Sequence, residues 1–132
     1  MEVRKPIHVA FFAETDLEKV QYTMKHLACR LSVEPLHVHV FLRTGRDAYG
    51  YILDRRVVAR VAEMRQYLRQ TQATFEAIKA VGSLHFEEVR QNKPTEDCLA
   101  DLLLELRETE DDPTLIRLKN DLWNDPWTIP SL

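Results

Sequence analysis

The chain has 132 residues, of which 45% are hydrophobic and 30% charged, and it carries a net charge of -3 with a pI near 5.9. This length and balance predict one globular domain that buries a real core. The acidic balance argues against non-specific nucleic-acid binding, which needs a basic surface, and no stretch is apolar over the length of a membrane span.

The first forty residues predict a strand, a helix and a second strand. Residues 7–12, IHVAFF, form an apolar run typical of a buried strand. Thr15 and Glu18 have the spacing of a capping box, so we expect an amphipathic helix to begin at about Thr15. Pro35 then precedes a second apolar run, LHVHVFL, at residues 36–42. Together these elements favour a parallel crossover with the first strand at the centre of the sheet.

The rest of the chain continues the alternation. Residues 43–54 read as a loop, and a long helix is predicted from about 55 to 80, with Gly82 as its C-terminal cap. Residues 84–89 alternate in polarity like an edge strand. Thr95 is expected to be the N-cap of a third helix, and residues 114–118, TLIRL, are a candidate fourth strand.

This order predicts an α/β fold, a three-layer sandwich with a mostly parallel sheet of four to five strands. We expect a single domain over residues 1–120, followed by a tail, residues 121–132, that packs on the domain or on a partner. Tryptophan is costly to expose and concentrates binding energy at interfaces. The tail's interface candidates are Leu122, Trp123, Trp127 and Ile129. A tail folded back over its own sheet is the competing interpretation.

No motif of catalytic chemistry is visible. The sequence has no GxSxG, HExxH or CxxC, so we expect no enzyme activity and no catalytic residues. His8, His37 and His39 would share one sheet face if their strands are neighbours, but hydrogen-bonded imidazoles under a helix are commoner than metal ligands, and no metal is predicted. Cys29 and Cys98 lie far apart in predicted helices, which favours free, packed thiols and a cytoplasmic location.

The order of elements resembles the universal stress protein family, small nucleotide-binding α/β domains. The resemblance covers about residues 7–118 and includes the LHVHVF strand and the stretch VRQNKPTEDCLADLL before TLIRL. The family's nucleotide signature is missing. Phe12 stands where the family's first strand usually ends in aspartate, and KNDLWNDPWTIPSL, without glycine, replaces the glycine-rich phosphate loop. The resemblance thus implies a degenerate member without the ATP-binding loop and without a cofactor.

Two functions follow as hypotheses. The first is a non-catalytic universal-stress-like domain that acts through protein–protein contacts as a homodimer, one form of which is a regulatory cytoplasmic domain of a transporter. The alternative is a small-molecule or nucleotide sensor that binds at the carboxyl ends of the strands through Thr15, Arg43 and Lys119. In the loop after the second strand, Asp47 and Tyr49 either line a crevice there or serve as turn formers.

Overall fold

A computed structural model describes residues 6–31 and 33–118 of the chain. In chain order the elements are β1 (Ile7–Ala13), α1 (Leu17–Leu31), β2 (Leu36–Arg43), α2 (Arg55–Ile78), β3 (Ser83–Val89), α3 (Thr95–Arg107) and β4 (Thr114–Arg117). The strands form one four-stranded sheet in the order β3-β2-β1-β4, and every neighbouring pair is parallel. The predicted α/β class, the parallel sheet and the central position of the first strand are confirmed.

The sheet lies between two helical layers. Val9 and Phe11 of β1 pack with α1 and α2 on one face, whereas Ala10 and Phe12 pack with α3 on the other. Successive side chains of a strand point to opposite faces, so a central strand under two helical layers must be apolar at almost every position. This is why the run IHVAFF lacks the polar alternation of a half-exposed strand.

Two helices begin one residue away from the predicted position. Asp16 precedes α1, and its Oδ1 accepts a hydrogen bond of 3.2 Å from the Lys19 backbone N–H. The N-cap of α1 is therefore Asp16 and not Thr15. The Asp16 carboxylate also interacts favourably with the helix dipole. Pro94 occupies the N-cap position of α3 and Thr95 is its first helical residue, so that prediction was also wrong. The Thr95 hydroxyl instead accepts a hydrogen bond from Arg43.

Gly82 is not the C-terminal cap of α2. Lys79 caps that helix in the left-handed conformation, with φ of 53°. The Gly82 N–H donates to the Leu31 carbonyl over 2.9 Å, and a Cβ at Gly82 would lie 2.1 Å from the Leu36 carbonyl oxygen. Glycine is needed here because two backbone segments meet with no room for a side chain.

The two edge strands of the described sheet are β3 and β4. β3 lies at one edge, as residues 84–89 predicted, and the shorter β4 lies at the other, paired only with β1 within the described chain. The two cysteines are not joined by a disulfide; Cys98 of α3 is buried against the sheet as expected, whereas Cys29 of α1 is exposed, so the prediction that it packs in the core was wrong. No helix in the described ranges combines the length and apolarity that crossing a membrane requires.

Candidate functional site

Arg43, at the end of β2, joins the sheet to the segment before α3. Its side chain is buried, with Nη1 donating to the carbonyls of Arg90, Gln91 and Lys93 at 3.3, 3.1 and 2.8 Å. Nη2 donates to Thr95 over 3.1 Å. Backbone carbonyls away from water require donors, and here the two N–H groups of Nη1 are shared among three carbonyls. Arg43 therefore holds the turn that leads into α3.

This placement bears on the predicted anion-binding residues. The Arg43 Nε lies 3.5 Å from the Glu14 carboxylate, so both its terminal nitrogens and its Nε face protein groups. Thr15 lines a separate groove of about 460 Å³ with Asp16, Glu18 and Arg60. Two carboxylates beside one guanidinium make that groove a poor receptor for phosphate. Lys119 lies outside the described residues.

The loop between β2 and α2, residues 44–54, is fixed by its own hydrogen bonds. Asp47 Oδ1 accepts from the backbone N–H of Tyr49 and of Tyr51, each at 2.9 Å, so Asp47 is a turn former. The Arg46 guanidinium donates to the Gly50 carbonyl over 2.9 Å, and Arg46 and Ile52 form an antiparallel bridge. The loop therefore has a defined shape without packing its side chains.

The same loop presents large side chains to solvent. Tyr49 is 87% exposed and Tyr51 71%, while Ile52 and Leu53 are 48% and 51% exposed. Isolated exposed apolar residues are ordinary, but four within five consecutive positions of one loop are a patch. The loop follows β2 at the carboxyl ends of the strands, the end at which open α/β sheets usually bind their ligands.

Four imidazoles form a row across the α3 face of the sheet, towards the amino ends of the strands. The rings follow the order His37, His8, His39 and His85, which we call the histidine column. Neighbouring centroids are 5.2, 5.2 and 6.2 Å apart and the planes are within 30° of parallel. The predicted common face of His8, His37 and His39 is thus confirmed, because β1 and β2 are neighbours in that register.

Hydrogen bonds connect the column to a carboxylate. His8 Nε2 lies 2.6 Å from Glu110 Oε2, and His8 Nδ1 lies 2.9 Å from His39 Nε2. His37 Nδ1 lies 2.6 Å from the Ser83 hydroxyl. The column continues into a groove of about 240 Å³ beside His39 and His85. Within the described ranges, no group of three or more histidine, cysteine or acidic side chains is arranged to hold a metal ion.

Two rings of the column, those of His37 and His39, lie in surroundings that disfavour their protonation. Burial, followed by the neighbouring His8, lowers the pKa of His39 to about 4, and burial lowers that of His37. Unfolded histidine binds a proton near pH 6.5. The folded state therefore binds fewer protons than the unfolded state below that value. The resulting stabilisation is fully present above about pH 6.5 and is lost as the pH falls towards 4.

Ser83 and His37 place a hydroxyl beside a base, a pair that the sequence did not indicate. In a serine hydrolase the same imidazole that activates the hydroxyl is oriented by a carboxylate. Here the carboxylate of Glu110 bonds to His8 instead. The Gly82 N–H, next to Ser83, already donates to Leu31. The pair therefore lacks an oriented base, and this N–H cannot serve an oxyanion hole.

The predicted interface residues all fall after Leu118. Leu122, Trp123, Trp127 and Ile129, like Lys119, lie outside the described residues. Sequence reasoning missed one ring of the histidine column, His85, and the carboxylate that bonds to the column, Glu110. His85 has the same parity as His39 once β3 is placed in register, whereas Glu110 sits in an irregular connection that no periodicity marks.

The described part of the chain is an α/β domain with a four-stranded parallel sheet, flanked by helices on both faces. No family model and no curated protein matches the chain. Among solved structures, a protein from the universal stress protein family from Burkholderia pseudomallei is similar, with 14% identity over 84% of this chain and 94% of that chain, and a TM-score of 0.41. The family in the description of that structure is the one that the order of elements resembles.

Proposed function

We propose that this chain is a non-catalytic α/β domain that acts by binding protein, and that its first partner is a second copy of itself. The observation that carries the proposal is the fixed loop with its exposed side chains at Tyr49, Tyr51, Ile52 and Leu53. A regulatory cytoplasmic domain of a transporter is one setting in which such a module would act.

The loop suits binding because its backbone is ordered before a partner arrives. Association costs free energy for every segment that must be immobilised, and a preformed loop reduces that cost. Tyrosine offers a large contact area with few rotatable bonds, which is why it is frequent at the centres of interfaces. Tyr49 and Tyr51 combine both properties, since Asp47 fixes the backbone of each.

Charge favours a second copy as the partner. Next to the loop, Arg55 and Arg56 are exposed at the start of α2. After α3, the exposed charges are acidic at Glu108 and Asp111. Basic and acidic surfaces on one chain attract each other between two copies, and two-fold pairing is the commonest assembly of soluble proteins.

The expected contribution of the sheet edge and tail remains part of this proposal. β4 has neighbours on one side only within the described chain, and an open edge exposes pairing groups that proteins normally cover. The tail's apolar residues would then extend the contact made by the loop. Truncation after Asn120 should weaken the dimer and expose apolar surface.

We expect the full chain to be a dimer at tens of micromolar in size-exclusion chromatography with light scattering. Replacing both Tyr49 and Tyr51 with serine should shift the mass towards monomer, because the substitutions remove the most exposed apolar area of the loop without touching the core. The matched control is Val81→Ser, which changes a side chain that is 57% exposed on the connection between α2 and β3. A wild-type monomer, or equal dimerisation of all three proteins, would contradict the proposal.

The competing sensor hypothesis predicts a stabilising ligand. We expect no ATP binding by calorimetry and no shift of thermal unfolding by ATP or AMP. The segment after Leu118 has no glycine through which backbone N–H groups could approach phosphate, and Arg43 donates to protein carbonyls. A ligand present at 100 times its dissociation constant would stabilise the fold by about 2.7 kcal/mol. Micromolar ATP binding would restore the sensor hypothesis.

A further inference from the structure

The histidine column is more than a set of packed rings, because its hydrogen bonds form a directed path. Glu110 bonds to one nitrogen of His8, and the other nitrogen of His8 bonds to Nε2 of His39. With all rings neutral, His8 donates to Glu110 and accepts from His39. Every nitrogen along this path then has a partner except Nδ1 of His39, on the side of the ring away from His8.

This arrangement can take up one proton without losing a hydrogen bond. A proton added to Nδ1 of His39 allows the Nε2 proton to pass to His8, which then donates to both neighbours. The new charge rests on His8, 2.6 Å from the Glu110 carboxylate. Hydrogen bonds between ions are short and strong, so the column tolerates this first charge.

Within the described residues, a second proton would have no carboxylate hydrogen-bonded to the ring that receives it. Within the column it must enter His37, His39 or His85, and a proton on Glu110 would instead remove the negative charge beside His8. His37 and His39 have their ring centroids 5.2 Å from that of the charged His8. Glu110 bonds to the column through Oε2, and its Oε1 is buried without a hydrogen-bond partner in the described structure. This single carboxylate is therefore bonded to His8 and to no second ring of the column. Like charges at this distance in a partly buried site repel strongly.

The charged and titratable groups around the column come from every element that packs there. They are His8 of β1, His37 and His39 of β2, His85 and Glu87 of β3, Glu105 of α3, Glu110 of the connection between α3 and β4, and Arg117 of β4. Glu87 and Glu105 line the open groove rather than the hydrogen-bonded path. Burial raises the pKa of Glu87, so this carboxylate also gains protons more readily as the pH falls.

We propose that the histidine column is a proton-binding site that holds one proton, and that a second proton separates the rings and releases residues 108–113 from β1. The His8–Glu110 hydrogen bond ties that connection to the central strand, so the connection is released once repulsion between charged rings displaces His8. The site lies towards the opposite end of the strands from the loop, and the proposal does not depend on the proposed dimer contact.

Hydrogen exchange of the full chain, read by mass spectrometry at pH 7.5, 6.0 and 4.8 and corrected for intrinsic rates, tests this proposal. We expect the protection of residues 108–113 to fall by about tenfold between pH 6.0 and 4.8, while α2 keeps its protection. His39→Phe keeps a ring in the row but removes its proton site, so the fall should shrink to threefold or less. The control His26→Gln, an exposed histidine on α1 on the other side of the sheet, should behave like the wild type.

A measurement on the unaltered protein guards against a variant that fails to fold. In an NMR pH titration, the ring signals of His39 should titrate well below the value of about 6.5 that unfolded histidine has. A His39 midpoint near that unfolded value would overturn the proposal. So would protection of residues 108–113 that is unchanged down to pH 4.8, or an identical loss in the wild type and in His39→Phe.

Discussion

Replacing Arg43 with methionine should lower the free energy of unfolding by about 3 kcal/mol, since the change leaves several part-buried polar partners without a donor. Methionine fills similar space but donates nothing, so the carbonyls of Arg90, Gln91 and Lys93 would lose a shared donor. Urea unfolding followed by far-ultraviolet circular dichroism at pH 7.5 measures the change.

The control for this substitution is Arg43→Lys. Lysine keeps the positive charge and reaches one or two of the carbonyls, but it lacks the planar fork. The loss should therefore be about half that of methionine. A methionine variant as stable as the wild type would show that the guanidinium is not structural. Arg43 would then again be a candidate for binding an anion.

Gly82→Ala is the second substitution for which we expect a large effect, a loss of about 3 kcal/mol from overpacking. The new Cβ would lie 2.1 Å from the Leu36 carbonyl oxygen and 2.6 Å from Leu31 Cδ2. The side chain could shift, but the carbonyl belongs to the first residue of β2. The start of the strand would have to move, and with it the hydrogen bond between Gly82 and Leu31.

Gly50→Ala provides a contrast with a different physical cause. A Cβ at Gly50 meets nothing within 4 Å, but the residue has φ of +90°, a conformation that alanine adopts poorly. We expect a cost of about 1 kcal/mol, confined to the exposed loop. Thermal and urea unfolding of the two variants side by side would separate lack of space from backbone strain. Equal losses would contradict this distinction.

The sequence predicted the layered fold because burial leaves a direct trace in it. A strand covered on both faces must be apolar at almost every position, and residues 7–12 satisfy that requirement with the exception of His8. Helix ends were predicted less well, because Thr15 and Thr95 each have a neighbour that takes the capping position. Gly82 was predicted to be a helix cap because it follows the helical pattern. The sequence pattern does not show that the Leu36 carbonyl approaches Gly82 from another element.

The sites were only partly predictable. Alternation within β1 and β2 placed three histidines on one face, but the fourth required the register of β3, and Glu110 required the course of an irregular connection. Arg43 was singled out as a strand-end cation. The carbonyls that surround it belong to residues 47 to 50 positions away, and no pattern in the sequence brings them together. The exposure of the loop side chains could not be predicted either, because it depends on whether another element of the fold covers them.

Site-specific photo-crosslinking tests the central claim, that the loop is a protein contact surface, most directly. A benzophenone side chain is introduced in place of Tyr49 in one preparation of the full chain and in place of exposed Lys25 on α1 in another. At tens of micromolar, irradiation should give a covalent dimer from position 49 and little from position 25. Monomer alone from both positions, or equal dimer from both, would contradict the account.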